Sequence, residues 1–547
     1  MTAIEQQLCK RLACAAVALC AALTCAAAEL PYADAVAARF AAPAVRYDTP
    51  GLQPGRDRYT SNDELRAALR ELAARPQGPR LLAAGRSAGG EAIEALHYTR
   101  GPGRPAVLLV GQQHGDEPAG SEALLAVAQL LSGGELAPLL DRIDVIVLPR
   151  ANPDGATLAV RRGLHGLDIN RDHLLLRTPE AQALALLVRA LRPLVVVDAH
   201  EHTVIGRTLE KFNAIQRHDL LLQYATAANL PAELTRASEA WFRQPLLQAL
   251  AHEGLTSEWY YTNPTTPGDL RLSMGGVQPD TARNVQGLKN TVSILLESRG
   301  IGIGRLHLER RVHSHVVAVR SILHSAAGHA GDLQALRQQL DAQVAGSACR
   351  GELVVLAAQT PTRRDVLMLD PATGADKWVA VHWNSSLELR PLIQRPRPCG
   401  YWLAAAADEA VQRLQALGVT VQRLAEATEL QAETWREISR LEVARPDVRG
   451  AIDDGHGVRL VLVATDAVEL PVPAGSWWVP LDQPLANVVA AALEPDSPSS
   501  WYANRLLPTL ASAARVMEMP GAAPAPAGIA PAPLEDKPVA PGHQPAL

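Results

Sequence analysis

The sequence lacks a dominant charge of either sign. Its 547 residues include 52 Lys and Arg against 57 Asp and Glu, a net charge of −5, and no long block of like charge. Nucleic acids and anionic membranes attract clustered positive charge, so neither is an expected partner. Phenylalanine is also scarce, with 3 residues, which we interpret as genome composition bias. The composition, 48% hydrophobic and 20% charged, is typical of a globular protein of two or three domains.

A hydrophobic run long enough to cross a membrane is missing as well. The N-terminal run, residues 12–28, follows two basic residues and is shorter than the ~20 residues that a helical span needs. It ends in the small pair Ala26 and Ala28, as secretory signal peptides do. We predict a signal peptide at residues 1–28, a mature chain from near Glu29, and a periplasmic or secreted protein without stable membrane insertion. An uncleaved anchor is the alternative.

Cysteine is rare once that segment is removed. Four of the six cysteines fall within it, and only Cys349 and Cys399 remain. An even number of thiols in an oxidising compartment allows a disulfide. Two separate buried thiols are the alternative.

Apolar runs alternate with helical stretches in the first half of the chain. Helices are predicted at residues 122–131 and 180–191, and residues 29–75 are expected to be helical and polar. Buried strands are predicted at 106–110, 143–149, 194–200 and 291–298. This alternation predicts an α/β fold with a mixed, mostly parallel sheet that is covered on both faces. In such sheets, binding sites collect at the carboxyl ends of the strands.

The pattern changes after a long helical segment. We predict a first domain at residues 29–345 and a smaller α+β accessory domain at 346–518, in which short strands surround one helix. Residues 519–547 are rich in Pro and Ala and are expected to be disordered, because such a composition cannot form a core.

Polar side chains stand where the buried strands are predicted to end. His114 and Glu117 follow the first strand, His200 ends the third, and Glu297 ends the fourth. Two imidazole nitrogens and one carboxylate make a three-ligand zinc site that leaves one position open. Each short motif alone is a weak signal, but the ordered set is a strong one.

At these residues the chain resembles the zinc metallocarboxypeptidases of the carboxypeptidase A/B type. The resemblance covers roughly residues 55–310, and "PDTARN" (279–284) with the C-terminal extension is similar to larger bacterial secreted members. Its motifs are "HGDE" (114–117), "NPDG" (152–155), "GLDINRD" (166–172), "DAH" (198–200) and "LLESRG" (295–300). The resemblance implies a three-layer α/β/α sandwich on a mixed eight-stranded sheet, with one zinc ion per catalytic domain.

The resemblance also implies roles for individual residues. His114, Glu117 and His200 match the zinc ligands. Asp168 matches the carboxylate that buttresses a ligand histidine and fixes its tautomer. Glu297 matches the general base, which takes a proton from zinc-activated water and delivers it to the leaving amine.

Further matches concern the substrate. Asn170 and Arg171 match the pair that grips the substrate's terminal carboxylate. The arginine that stabilises the oxyanion matches Arg161, nine positions before Asn170, and Arg162 is the alternative.

Two family features have no clear match. Tyr260 and Tyr261 lie near the expected capping tyrosine, but we expect a surface aromatic cluster there. Arg283, fourteen residues before Glu297, lies near the family's specificity position, where it would favour acidic C-terminal residues; a structural salt bridge is the alternative. We expect surface, loop or solvated positions for His173, Glu201, His313 and His315.

The resemblance thus implies a zinc-dependent exopeptidase that removes one C-terminal residue from peptides with a free terminal carboxylate. The alternative is a zinc amidohydrolase of the same fold that acts on murein stem peptides or N-acyl amino acids. A non-catalytic binding protein would lack an essential position, and none is missing here.

Overall fold

The structure is a computed structural model of the chain. It describes residues 32–444, 446–447, 450–451 and 457–520. The predicted signal peptide and all but the start of the predicted Pro/Ala-rich tail lie outside the described residues. Among the described residues, no helix combines the length and the apolar character needed to cross a membrane.

Helices begin where capping residues precede apolar or amphipathic stretches. Ser61 and Glu64 form a reciprocal capping box at one start, and Thr178 caps another whose first residue is Pro179. In chain order the described α-helices are α1 (Asp34–Ala37), α2 (Asn62–Ala73), α3 (Pro118–Leu131), α4 (Pro153–Leu158), α5 (Pro179–Leu191), α6 (Gly206–Phe212), α7 (Ala232–Ala237), α8 (Gln244–His252), α9 (Ala282–Leu288), α10 (Leu308–Gly328), α11 (Ala330–Ala345), α12 (Asp408–Leu417) and α13 (Ala486–Leu493).

The strands that pass through the core are rich in Val, Ile and Leu, whose side chains suit a pleated buried surface. In chain order the described strands are β1 (Arg80–Arg86), β2 (Ala92–Tyr98), β3 (Ala106–Gly111), β4 (Asp144–Leu148), β5 (Val195–Thr203), β6 (Ile215–Gln216), β7 (Leu220–Tyr224), β8 (Ser257–Trp259), β9 (Tyr261–Thr262), β10 (Arg271–Met274), β11 (Val292–Ile301), β12 (Glu352–Leu369), β13 (Asp376–Pro396), β14 (Gly400–Leu403), β15 (Gln422–Arg423), β16 (Thr428–Val443), β17 (Pro446–Asp447), β18 (Gly450–Ala451), β19 (Val458–Val472), β20 (Trp477–Pro480) and β21 (Ala513–Val516).

The central sheet of the described chain has eight strands, in the order β1–β2–β4–β3–β5–β11–β7–β8. Its four middle strands, β4, β3, β5 and β11, run parallel to one another. β7 and β8 are also parallel to each other, whereas the other pairs are antiparallel. The predicted mixed, mostly parallel eight-stranded sheet is confirmed.

Helices cover both faces of this sheet. In β3, Val107 and Leu109 pack in a cluster with α3 and α10, whereas Leu108 and Val110 pack in a cluster with α5. Successive side chains of a strand point to opposite faces, so β3, which is buried on both faces, is apolar along its length. The three-layer α/β/α arrangement is therefore confirmed.

A second sheet, in the order β6–β12–β13–β10–β9, contains strands from both sides of residue 345. Its two long antiparallel strands, β12 and β13, are called the ribbon below. β13 pairs with β10 from Arg271↔His382 to Ser273↔Asn384. The expectation of short strands is wrong here, because β12 and β13 have 18 and 21 residues. The predicted domain boundary at residue 345 stays a prediction.

A third sheet, in the order β15–β20–β14–β21–β16–β19, forms the C-terminal part of the described chain. Cys349 and Cys399 form a disulfide, so the disulfide alternative is the one that the structure contains. The two cysteines lie just outside the two ends of the ribbon, and the bond therefore joins the ribbon's base.

The N-terminal segment is less helical than expected. Before α2, the described residues contain one α-helical turn and the 3-10 turns Ala38–Phe40 and Pro50–Leu52. Pro43 and Pro54 interrupt the intervening stretches, because proline has no N–H to continue a helix. The polar composition alone did not reveal these breaks.

Candidate functional site

Three adjacent parallel strands, β3, β5 and β11, carry the candidate metal and base residues to one edge of the central sheet. His114 lies in the loop after β3, and Glu117 directly precedes α3. His200 lies in β5, and Glu297 is its register partner in β11. The structure therefore brings these four predicted residues together.

The two histidines and Glu117 face one another through a compact set of atoms. His114 Nδ1 lies 2.9 Å from Glu117 Oε1, and His200 Nδ1 lies 2.9 Å from Glu117 Oε2. The two Nδ1 atoms are 3.0 Å apart. Possible ligand atoms of all three buried residues lie within 4.8 Å of one another. Two nitrogens and a carboxylate in this arrangement suit zinc.

A carboxylate lies behind each histidine. Asp168 Oδ1 lies 3.1 Å from His114 Nε2, and Asp198 Oδ1 lies 2.9 Å from His200 Nε2. Each carboxylate can accept the Nε2 proton, which leaves the Nδ1 lone pair facing the shared space. The donor set therefore fits a divalent metal ion that binds imidazole nitrogen as well as carboxylate oxygen.

Asp168 also holds Arg161. The Arg161 Nε and Nη2 atoms lie 2.9 and 2.8 Å from Asp168 Oδ2, and its Nη1 lies 3.4 Å from Glu117 Oε1. Burial opposes ionisation of Asp168, but the Arg161 guanidinium and a neighbouring histidine hold its pKa well below its usual value. Arg162 instead donates an exposed hydrogen bond to the Gly166 carbonyl oxygen. Of the two arginines, Arg161 is the one that reaches the metal residues.

Asn170 and Arg171 lie in a 3-10 turn beside the histidines. The Asn170 Oδ1 atom accepts the Ala282 N–H at 2.9 Å, which turns Nδ2 toward Asp198 and His200. Arg171 Nη1 donates to the Asn170 backbone oxygen at 2.8 Å. Both residues line the same pocket as the metal residues.

This pocket has a volume of about 670 Å³. Glu297 lines it and is 7% exposed. Burial raises the pKa of the Glu297 carboxyl to about 7, against the opposing effect of His200. A buried carboxyl that faces a pocket next to metal-binding residues is a suitable proton acceptor.

Arg283 forms part of the pocket wall and is 3% exposed. Its Nη2 donates to the Gly276 carbonyl oxygen at 2.9 Å, and its Nε donates to Asn284 Oδ1 at 3.4 Å. Among the described residues, no carboxylate lies within salt-bridge distance of its guanidinium. Burial lowers its pKa to about 10, so it remains a cation at neutral pH. The salt-bridge alternative considered for Arg283 is not what the structure contains.

The expected surface cluster of tyrosines is wrong. Tyr261 is 2% exposed, donates its hydroxyl hydrogen to Gln216 Oε1 at 2.6 Å, and packs edge-on against Trp383 of the ribbon. Tyr260 lines the pocket. Tyr261 is covered because β13 of the ribbon pairs with β10 and brings Trp383 against its ring, a contact that the local sequence does not indicate.

Four residues expected at the surface or in solvated positions are buried instead: His173, Glu201, His313 and His315. Glu201 accepts the Ala119 N–H at 2.7 Å and forms a buried ion pair with Arg311. His315 Nε2 lies 3.1 Å from the His200 carbonyl oxygen. Arg311 and His315 both belong to α10, so this helix supports the strand that carries His200.

Asp198 is a functional candidate that the spacing of the sequence indicates. It lies two residues before His200 in β5, and alternate residues of a strand share a face. A carboxylate at that spacing can reach the ring of the histidine. In the structure, Asp198 Oδ1 lies 2.9 Å from His200 Nε2.

Comparisons with known sequences found a carboxypeptidase family model and relatives that are named carboxypeptidases. A family model described as zinc carboxypeptidase matches residues 65–182. "Carboxypeptidase 2" of Trichophyton equinum is 29% identical over 408 residues, which are 74% of each chain. "Carboxypeptidase D" of Homo sapiens is 37% identical over 131 residues, 18% of this chain and 10% of the human protein. A metallo-carboxypeptidase structure from Burkholderia cenocepacia covers 50% of this chain and 70% of its own, with 18% identity and a TM-score of 0.39.

Proposed function

Since the chain belongs to the zinc carboxypeptidase family and is a metallocarboxypeptidase, we propose that His114, Glu117 and His200 hold its zinc ion and that Glu297 is its general base. The arrangement of these four residues carries this proposal. The possible ligand atoms of the three residues converge within 4.8 Å, and Glu297 stands opposite His200 in the next strand.

The surroundings of the two histidines favour the binding of zinc. Asp168 and Asp198 each face the Nε2 atom of one histidine. A carboxylate in this position makes a ligand imidazole more basic and fixes the orientation of its ring. A zinc ion bound there supplies a Lewis acid that polarises a carbonyl and lowers the pKa of water.

The proton transfers fall to Glu297. Its carboxylate takes a proton from the attacking water and then donates it to the nitrogen of the leaving amine, so one residue serves both steps. Arg161 is the oxyanion stabiliser in this proposal, because its guanidinium reaches the edge of the metal residues at Glu117.

In this proposal, Arg171 and Arg283 bind different parts of the substrate. Asn170 and Arg171 bind the substrate's terminal carboxylate, for which a guanidinium offers a planar fork. Arg283 then supplies a second buried guanidinium in the same pocket, without a carboxylate partner of its own among the described residues. This supports a preference for C-terminal residues with an acidic side chain.

The first experiment tests the reaction with paired peptides. The wild-type protein should release the last residue of a peptide that ends in a free Glu but not of the same peptide with an amidated C terminus. A zinc chelator should stop the release, and added zinc should restore it. Hydrolysis of isolated muropeptides without hydrolysis of ordinary peptides would favour the amidohydrolase alternative.

Matched variants test the assigned residues. Glu297→Gln should lower kcat by at least about 100-fold, whereas the same change at the exposed pocket rim, Glu210→Gln, should leave kcat unchanged. Arg283→Gln should remove the preference for Glu over Gln at the peptide's C terminus. Arg271→Gln, which removes an exposed charge in β10, should keep that preference. Full activity of Glu297→Gln would refute the assigned base.

We further propose that the protein is exported through the signal peptide at residues 1–28. The Cys349–Cys399 disulfide supports an oxidising compartment, where such bonds persist. Mass spectrometry of the mature protein should find an N terminus near Glu29; a retained N-terminal segment in the exported protein would argue for an anchor.

A further inference from the structure

The two strands of the ribbon change register where they meet the pocket. Gln359 of β12 pairs with Leu389 of β13, but the next residue, Thr360, pairs with Ser385. Residues 386–388 therefore have no register partner and form a bulge in β13. Bulges bend a strand and redirect its side chains, and they are frequent next to active sites.

The bulge turns Ser386 into the protein, where it is 2% exposed. Its Oγ donates to the Gly275 carbonyl oxygen at 2.8 Å and accepts from Gln359 Nε2 at 2.7 Å. Gln359 Nε2 also donates to the Met274 carbonyl oxygen at 2.8 Å, and Gln359 lines the pocket. Two ribbon side chains thus hold two successive backbone carbonyls at the pocket wall.

Arg283 rests on the same backbone segment. Its Nη2 atom donates to the Gly276 carbonyl oxygen at 2.9 Å. A Cβ atom at Gly275 would lie 2.7 Å from Arg283 Nη1, so the guanidinium packs directly on the glycine backbone. The position of the Arg283 guanidinium therefore depends on where residues 275–276 are held.

We propose that the ribbon completes the substrate pocket, and that Ser386 and Gln359 are positioning residues that hold Arg283 where it binds the acidic side chain of the substrate's last residue. The inference rests on the proposed function of Arg283. It assigns specificity to a segment that follows residue 345, well beyond the strands that carry the metal residues.

Removing the Ser386 hydroxyl should loosen the pocket wall without unfolding it. Gln223 Nε2 also donates to the Gly275 carbonyl oxygen, at 3.2 Å, so this buried oxygen keeps one partner in Ser386→Ala. We expect the KM for a peptide that ends in Glu to rise about three- to tenfold, the effect of one lost buried hydrogen bond, with kcat little changed.

A double-mutant cycle separates positioning from general packing. The variants are Ser386→Ala, Arg283→Gln and the two combined, each in the full chain and assayed with the peptide that ends in Glu. If Ser386 acts through Arg283, then Ser386→Ala has no further effect on kcat/KM once Arg283 is replaced. An equal effect in both backgrounds would overturn the inference.

Two more variants complete the design. Thr362→Ala removes the same kind of hydroxyl from the ribbon, but this hydroxyl bonds to the Trp383 carbonyl oxygen within the ribbon, at 3.2 Å. It should leave KM unchanged, and a rise equal to that of Ser386→Ala would refute positioning. Gln359→Met removes both amide donors from a half-buried side chain and should reproduce the rise in KM, even where Ser386→Ala fails to fold.

A peptide that ends in Leu distinguishes failure of this inference from failure of the proposed function. If the wild-type protein hydrolyses neither peptide, the proposed function is wrong. If it hydrolyses both and loses its Glu preference in Arg283→Gln, but Ser386 and Arg283 show no coupling, only the positioning role of the ribbon is refuted.

Discussion

Asp198→Asn should weaken zinc binding while leaving the fold in place. Asp198 is 0% exposed, its Oδ1 lies 2.9 Å from His200 Nε2, and the same oxygen accepts from Gln113 Nε2 at 2.7 Å. Burial opposes ionisation, but His200 holds the pKa of Asp198 below its usual value, so the side chain is a carboxylate at neutral pH. The substitution keeps its size and removes the charge.

The expected loss follows from the contact that changes. A hydrogen bond to a charged group contributes about 1.5–3 kcal/mol, whereas an amide oxygen retains only part of it. Replacing a carboxylate that accepts a hydrogen bond from a metal-binding histidine typically lowers metal affinity by about 10- to 100-fold. We expect a loss of zinc affinity in that range. At saturating zinc, kcat/KM should fall by a smaller factor, because the ligands themselves remain.

Zinc affinity is measured by competition with a chromophoric chelator at fixed pH, and thermal unfolding of the metal-free protein checks the fold. Asp154→Asn is the matched control. Asp154 is also a buried carboxylate, but it accepts the Gly89 N–H at 2.7 Å, away from the histidines. An unchanged zinc affinity in Asp198→Asn, or an equal loss in both variants, would refute the support role.

Three further changes test the packing around the site. Burial lowers the pKa of Lys289 to about 7, so the unfolded chain binds more protons than the folded chain from about pH 7 to about pH 10, and stability rises with pH across that window. Lys289→Met removes this penalty, so its gain in the free energy of unfolding in urea should be largest near neutral pH and shrink as pH rises; a gain that grows with pH would contradict the explanation. Arg311→Met leaves Glu201 buried without its ion-pair partner and should lower the free energy of unfolding by about 3–5 kcal/mol. A loss below about 1 kcal/mol, the level of an exposed pair, would show that the pair is not buried in solution. Replacing Cys349 and Cys399 by Ser opens a crosslink across 50 residues and should lower the free energy of unfolding by about 4 kcal/mol in the loop-entropy model. A thermal midpoint that does not respond to reductant would count against the bond.

The sequence predicts a site residue best when a short motif or the end of an apolar strand marks it. His114 and Glu117 are three residues apart, and His200 and Glu297 lie in apolar strands whose pairing follows from the parallel sheet. Their meeting was therefore foreseeable from motifs and strand ends. Arg311 reaches Glu201 across 110 residues, and no local pattern in α10 indicates that contact.

The ribbon was harder to predict for a physical reason. Pro361 stands in the middle of β12, and proline usually argues against a strand because it cannot donate to a neighbour. Among the described strands, however, only β13 pairs with β12 at Pro361, since β6 meets β12 at Met368 and Leu369. The unpaired side of β12 needs no N–H at this position. The strand therefore continues through Pro361, although the sequence on its own predicts a shorter strand that ends before the proline.

The disulfide at the base of the ribbon also bears on how the protein can be redesigned. Cys349 and Cys399 bring the two ends of the ribbon together, with their Cα atoms 4.2 Å apart. A segment whose ends already meet can be exchanged as one piece, since the entropy of closing a loop changes slowly with its length. The ribbon can therefore be replaced as a unit. Ribbons with other side chains at the bulge can be inserted between the same two cysteines. Such chimaeras would vary the wall of the pocket while the strands that carry the histidines stay as they are.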